Sequence, residues 1–302
     1  MNEFILIIII TIAAFFFSSQ WVPQKKAVKL EKLEDPRLYN ISMGIGIIIG
    51  CLIYFLIYGL IFQSSTYHWY PIIIAMLGGF LWQLANRFII VSVNEIGMGQ
   101  TTVFLNLIAV FSFLIGIFFF REILFWFDMV GFFFIIMGCM IISLINRGED
   151  SKRSWKGISA VLIASFLISI FNALSLESMN SMFDFPSLTF YDSCLFVAIG
   201  IVIGNFVLNL KPSPIKKWWN LGHIHKFAIL GGLSWSSGIL LISFVLVLGG
   251  LGFGISIVQA IILIFGALWG ILYFKEIIDK NKLLIFLIGA IIVALGIIFL
   301  SI

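Results

Sequence analysis

The chain has 302 residues, 62% of them hydrophobic and only 11% charged. A soluble domain carries about 25% charged residues and must clothe its outside with polar groups, so the soluble globular class is excluded and the exterior must face lipid. The formal net charge of +4 does not point to nucleic acid, because the basic residues fall in short segments between apolar runs, where they meet anionic headgroups and set topology.

A bilayer core takes about 20 apolar residues of helix. On that measure the sequence predicts an all-α integral membrane protein with ten spans, near 4–22, 39–62, 70–93, 98–120, 124–145, 157–176, 188–210, 227–248, 253–274 and 283–302. The first run has Glu3 and no Lys or Arg ahead of it, and no small-x-small cleavage site before Lys25-Lys26. It reads as an uncleaved first helix. Lys25, Lys26, Lys29, Lys32 and Arg37 follow span 1; Arg147, Lys152, Arg153 and Lys156 follow span 5. Lys211, Lys216, Lys217 and Lys226 follow span 7; Lys275, Lys280 and Lys282 follow span 9. These segments hold sixteen of the 18 basic residues, all on one side. The positive-inside rule makes that side cytoplasmic in a multi-pass cell-membrane protein, and ten spans then place both termini outside.

The sequence also repeats. Gly78-Gly79, Trp82, Gly97-x-Gly99, Phe120-Arg121-Glu122, Gly131 and Gly138 recur in order as Gly231-Gly232, Trp235, Gly252-x-Gly254, Phe274-Lys275-Glu276, Gly289 and Gly296. The repeats are expected at 1–146 and 147–302. Five helices each is an odd number, so the two must insert inverted, and the alternation of basic and non-basic segments agrees. Inverted repeats are a transporter architecture with a site near the midplane. Gly131/Gly138 and Gly289/Gly296 put two glycines on one helix face, which favours close packing within the chain or in a homodimer.

These motifs resemble the drug/metabolite transporter superfamily and its EamA-like ten-helix group. Ser18-Ser19-Gln20-Trp21-Val22-Pro23-Gln24-Lys25-Lys26, the G-G-x-x-W elements and Gln259 most resemble the glucose/ribose porter family of sugar-uptake proteins. That resemblance implies uptake of a monosaccharide by proton-coupled symport, through a cavity lined by helices of both halves.

Arg87 lies inside span 3, where a charge at a helix centre costs about 2.5–3.5 kcal/mol. Gln83, Asn86 and Asn94 lie near its stripe and Trp82 borders it. A guanidinium fork suits hydroxyls, carboxylates or phosphates. It reads as a substrate ligand, against a structural arginine that snorkels or ties helix-end carbonyls. Span 4 adds Gln100, Thr101, Thr102 and Asn106, and span 9 adds Ser256 and Gln259. Span 6 adds Ser165, Ser169 and Asn172, span 8 adds Trp235, and Gln20 ends span 1. Donors, acceptors and an aromatic face are what a sugar needs; the competing reading is interhelical glue, typically under about 1 kcal/mol each. Proton coupling would use a carboxylate, with Asp192, Glu177 and Glu95 as candidates. Glu122 and Glu276, beside Arg121 and Lys275, read as helix-end ion pairs. His223 and His225 near Trp218-Trp219 read as an interfacial anchor.

Cys51, Cys139 and Cys194 are scattered through apolar runs, with no CxxC. No P-loop, HExxH or GxSxG occurs. No cofactor, metal site, nucleic-acid partner or enzymatic activity is expected. Two other functions stay open on the residues: an exporter of drugs, metabolites or amino acids, and a non-transporting membrane receptor or scaffold.

Overall fold

The computed structural model describes residues 3–30, 36–61, 67–121, 123, 125–143, 155–180, 185–209, 218, 222–249, 251–274 and 279–299. In chain order its helices are α1 (Glu3–Ser19), α2 (Trp21–Leu30), α3 (Pro36–Ile61), α4 (Trp69–Ile96), α5 (Met98–Leu105), α6 (Leu107–Phe120), α7 (Trp126–Ser143), α8 (Trp155–Asn180), α9 (Phe190–Asn209), α10 (His223–Gly249), α11 (Leu251–Leu268), a π-helical turn (Trp269–Tyr273) and α12 (Lys280–Phe299). No strand occurs among the described residues. In hydrocarbon every backbone N–H and C=O must find a partner within its own segment, and helices meet that demand.

Seven helical segments are long and apolar enough to cross a bilayer: Leu38–Ile61, Trp69–Ile96, Gln100–Phe120, Trp155–Asn180, Phe190–Leu208, His223–Val247 and Lys280–Phe299. α7 and α11 carry the shorter apolar stretches Trp126–Ile141 and Gly254–Gly266. Large apolar side chains such as Leu60, Phe118, Phe133 and Leu272 stand exposed, as they must where the solvent is lipid. The protein is a multi-pass, all-α membrane protein.

Three expected spans are not single α-helices. The first stops at Gln20 and restarts as α2. The fourth breaks at Asn106, whose amide Nδ2 donates to the Thr102 and Val103 carbonyls at 2.9 and 3.2 Å. The Asn106 N–H turns back to Val103 O at 3.1 Å, so side chain and backbone compete with the regular ladder there. The ninth ends in the π-turn, where the Phe274 N–H reaches Trp269 O at 3.0 Å. Gly97 makes the tight α4–α5 turn with φ 85°, a conformation glycine adopts without a Cβ penalty. Arg121 caps α6 at φ 58°, its N–H bonded to Gly116 O. The expected ion pairs with Glu122, Lys275 and Glu276 lie outside the described residues.

The chain packs as two compact units. Unit 1 comprises Met1–Leu84 and Ile170–Leu248; unit 2 comprises Ala85–Ser169 and Gly249–Ile302. α4 and α8 each contribute to both. Each unit therefore draws helices from either side of the expected 146/147 repeat boundary.

Glycines set the close crossings in unit 1. A Cβ on Gly79 of α4 would strike Val197 O and Ile201 N of α9, and one on Gly200 of α9 would strike the Met76 backbone of α4. A Cβ on Gly232 of α10 would strike Met43 O and Ile47 N of α3, and one on Gly46 of α3 would strike the Ile229 backbone of α10. Unit 2 holds a third crossing. A Cβ on Gly138 of α7 would lie 2.6 Å from Gly289 O and 3.0 Å from Val293 N of α12. A Cβ on Gly296 of α12 would lie 2.7 Å from Gly131 O and 2.8 Å from Ile135 N of α7. Bare glycine faces let backbones meet and gain dispersion contacts that lipid does not supply.

Candidate functional site

Trp235 is 0% exposed and Trp82 2%, and their rings meet at 4.6 Å with a 55° tilt inside unit 1. Each follows a glycine pair on its helix by one turn, so the crossing that brings the backbone in also carries the tryptophan inward. Phe17 of α1 lies 5.9 Å from Trp235, and Phe171 of α8 lies 6.4 Å from it. Ser234 Oγ donates to Phe16 O at 2.8 Å and ties α10 to α1. Four helices thus supply one aromatic cluster.

Polar groups lie on the same helices. Trp235 Nε1, Gln83 Nε2 and Gln20 Oε1 are buried and have no hydrogen-bond partner among the described residues. Gln83 follows Trp82 on α4. Gln20 sits at the α1–α2 junction, and its carbonyl lies 3.4 Å from where a Gly231 Cβ would stand, one turn before Trp235. Asn172, also buried, follows Phe171. A buried unsatisfied donor or acceptor costs about 1–3 kcal/mol. Such groups are of the kind a polyhydroxylated ligand can use: rings for an apolar ring face, amides and an indole N–H for hydroxyls.

The candidate carboxylates of unit 1 lie elsewhere in it. Asp192, fully buried, is in the first turn of α9. It accepts from Thr189 Oγ1 at 2.7 Å and from Tyr67 OH at 3.2 Å, while its N–H donates to Thr189 Oγ1 at 3.3 Å. Glu177 accepts from Tyr70 OH at 3.1 Å. Ser178 and Ser193, the residues next to these acids, share a hydrogen bond of 2.8 Å. Tyr70 stacks on Phe185 at 4.7 Å, and His68 stacks on Phe185 at 4.8 Å.

Unit 2 holds the other candidates. Arg87 is half-buried, one turn beyond Gln83 on α4; Asn86, Gln100, Asn106, Ser256 and Gln259 are buried. Asn106 uses its NH2 on its own helix, as described above. Ser165 and Ser169 donate to Phe104 O and Ile108 O of α5 and α6 at 3.5 and 3.1 Å, which is interhelical glue. Glu95 pairs with Lys156 at 3.0 Å on an exposed surface. Two concavities of unit 2, one beside Leu263, Leu287 and Ile291 and one beside Phe104, Cys139 and Leu162, are lined by apolar side chains and sulfur, and offer nothing to a hydroxyl.

His225 belongs to an anchor. Its Nδ1 lies 2.8 Å from Ser42 Oγ, which accepts from Trp218 Nε1 at 2.8 Å. Sequence reasoning missed Asn205, Gln24 and Ser175, whose buried side-chain atoms also have no partner among the described residues. For Asn205 a signal existed: it is the lone amide between Cys194 and Asn209 in an apolar run.

An all-helical, multi-pass membrane protein with an aromatic, hydroxyl-matching interior is of the solute-transport class. A family model described as sugar transport protein matches residues 40–302, and the chain belongs to that family, the glucose/ribose porters of drug/metabolite-transporter type. It is a sugar transporter. A solved crystal structure shares the fold with a TM-score of 0.58, over 96% of this chain and 98% of the other, at 13% identity. No curated protein matches the sequence.

Proposed function

We propose that this protein imports a monosaccharide across the cell membrane by proton-coupled symport, without catalysing a reaction, and that the sugar binds at the Trp82–Trp235 cluster. The observation that carries the reading is the set of unpartnered buried groups, Trp235 Nε1, Gln83 Nε2 and Gln20 Oε1, around those rings. Asn172, buried beside Phe171, is a further ligand. Arg87 lies in unit 2 and is proposed as a substrate ligand on the cost of an intramembrane charge alone, with no role in the unit 1 cluster. Asp192 and Glu177 are the coupling carboxylates, because each is buried and held by a tyrosine hydroxyl that could follow a change in its charge. Glu95 is left out, since Lys156 neutralises it. Gln100, Asn106, Ser256 and Gln259 receive no role in the unit 1 cluster.

Two inverted five-helix repeats over ten spans are part of the proposal. The glycine crossings support them. Gly79 against Val197/Ile201 and Gly232 against Met43/Ile47 are one arrangement written twice. So are Gly138 against Gly289/Val293 and Gly296 against Gly131/Ile135. A pseudo-two-fold relation between repeats generates reciprocal pairs of this kind. The same glycine faces are filled within the chain, so a homodimer would use another surface.

The test is uptake of radiolabelled hexoses and pentoses by purified protein in proteoliposomes, with and without an inward proton gradient, beside Trp235→Ala. Saturable uptake that the gradient accelerates, and that falls at least about tenfold in the variant, is the expected result. Folded wild-type protein that takes up no sugar would overturn the import reading and turn the search to efflux.

A further inference from the structure

We propose that Asn205 is a second sugar ligand, whose amide takes two adjacent hydroxyls of the substrate at once; this rests on the sugar-binding reading above. Asn205 lies in α9, 4% exposed, and neither Nδ2 nor Oδ1 has a hydrogen-bond partner among the described residues. A membrane span gives such an amide no bulk water, and each atom left unpaired there is destabilising. Asn106 spends its Nδ2 on two carbonyls of its own helix, and only its Oδ1 is without a partner among the described residues. For Asn205 both amide atoms lack one among the described residues.

The chemistry of the missing partner follows from the amide itself. NH2 donates and C=O accepts, side by side. A carboxylate or phosphate would satisfy only the donor half, and a cation only the acceptor half. Two neighbouring hydroxyls satisfy both, one accepting and one donating. The neighbouring helices meet the amide through glycine and through Gln83. A Cβ on Gly44 of α3 would stand 2.6 Å from Asn205 Nδ2, so the glycine leaves the amide its place. Gly204, the preceding residue, faces Gln83: a Cβ there would lie 3.1 Å from Gln83 Cβ. One turn of α9 therefore carries Asn205 and abuts Gln83, whose own Nε2 is unpartnered and whose neighbour Trp82 belongs to the aromatic cluster.

Three measurements test this. First, Cys51, Cys139 and Cys194, all buried, are replaced by Ala and Asn205→Cys is added. A water-soluble methanethiosulfonate should modify the variant, and a transported sugar should slow the reaction. No modification, or modification that the sugar leaves unchanged, overturns the proposal. Second, uptake of a transported sugar is compared with its single-deoxy analogues. The wild type should lose about 10- to 100-fold at two adjacent positions, and Asn205→Ala should lose that discrimination while its KM for the parent sugar rises by a similar factor. Discrimination kept at every hydroxyl overturns the contact. Third, Gly44→Ala should displace the amide and raise KM, and the Gly44→Ala/Asn205→Ala double variant should be no worse than Asn205→Ala alone; additive losses overturn it. A wild type that takes up no monosaccharide sinks the sugar reading itself, and modification of the Asn205→Cys variant then decides separately whether Asn205 faces a solute route.

Discussion

Asp192 and Thr189 form the reciprocal pair of a helix N-terminus, hydroxyl to carboxylate and N–H to hydroxyl, at the start of α9. Tyr67 adds a third bond from outside the helix. Loss of water around it, then the charge of Asp192 and its hydrogen bond, push the Tyr67 phenol above its ordinary value. It therefore remains a protonated donor through neutral pH and adds no ionisation of its own to the uptake profile there. Asp192→Asn keeps an acceptor for the cap and removes the carboxylate. Gradient-driven accumulation of sugar should disappear while sugar counterflow without a gradient persists. Unchanged accumulation would remove Asp192 from the coupling role. Glu95→Gln serves as the contrast: its exposed pair with Lys156 is worth about 0–1 kcal/mol, and accumulation should be unaltered. Arg87→Ala should abolish uptake in protein that still inserts, and wild-type kinetics in that variant would return Arg87 to a structural role. The tryptophans were legible at this scale because each follows a glycine pair in a repeated pattern. Asn205 was marked only as a lone amide in an apolar run, a weaker signal than a pattern written twice.

Helices meet here through glycines, and their cost on substitution follows from what a Cβ would strike. At Gly79 and Gly232 it is backbone of the facing helix, which cannot rotate aside as a side chain can. Gly79→Ala and Gly232→Ala should each lower stability by about 1–3 kcal/mol, read as a drop in the unfolding temperature of the detergent-solubilised protein. The two losses should be similar, because the two crossings share one geometry. A large loss at one and none at the other would break the equivalence on which the repeat rests. Gly59, with nothing within 4 Å of its Cβ position, is the control and should tolerate Ala. The repeated glycines were visible in the sequence, and so were most helices. The breaks at Gln20, Asn106 and the π-turn were not. Apolar length measures how far a segment reaches across lipid, whereas a break is made by hydrogen bonds, such as Asn106 Nδ2 to Thr102 O, that hydropathy does not register.

For the molecule as a whole, the question left by the helices is how many of them cross. Seven do by length and composition, and α7 and α11 carry shorter apolar stretches. α1 has 17 residues, about 26 Å of helix at 1.5 Å per residue, close to the hydrocarbon thickness of about 30 Å. Counting all ten gives an even number, and an even number puts the two termini on one side. Charge then selects the side. Sixteen of the 18 Lys and Arg fall in the segments after spans 1, 5, 7 and 9, and the positive-inside rule predicts those segments on the cytoplasmic face. Ten spans then predict both termini outside. Alkaline phosphatase fused after residue 302 should therefore be active in cells, and a fluorescent protein fused at the same place and exported through the general secretory route should stay dark. A bright C-terminal fusion with inactive phosphatase would mean that one of the short segments, α1, α7 or α11, fails to cross. Five-helix repeats related by inversion would then lose their matching helix count, and the reciprocal glycine crossings would need another explanation.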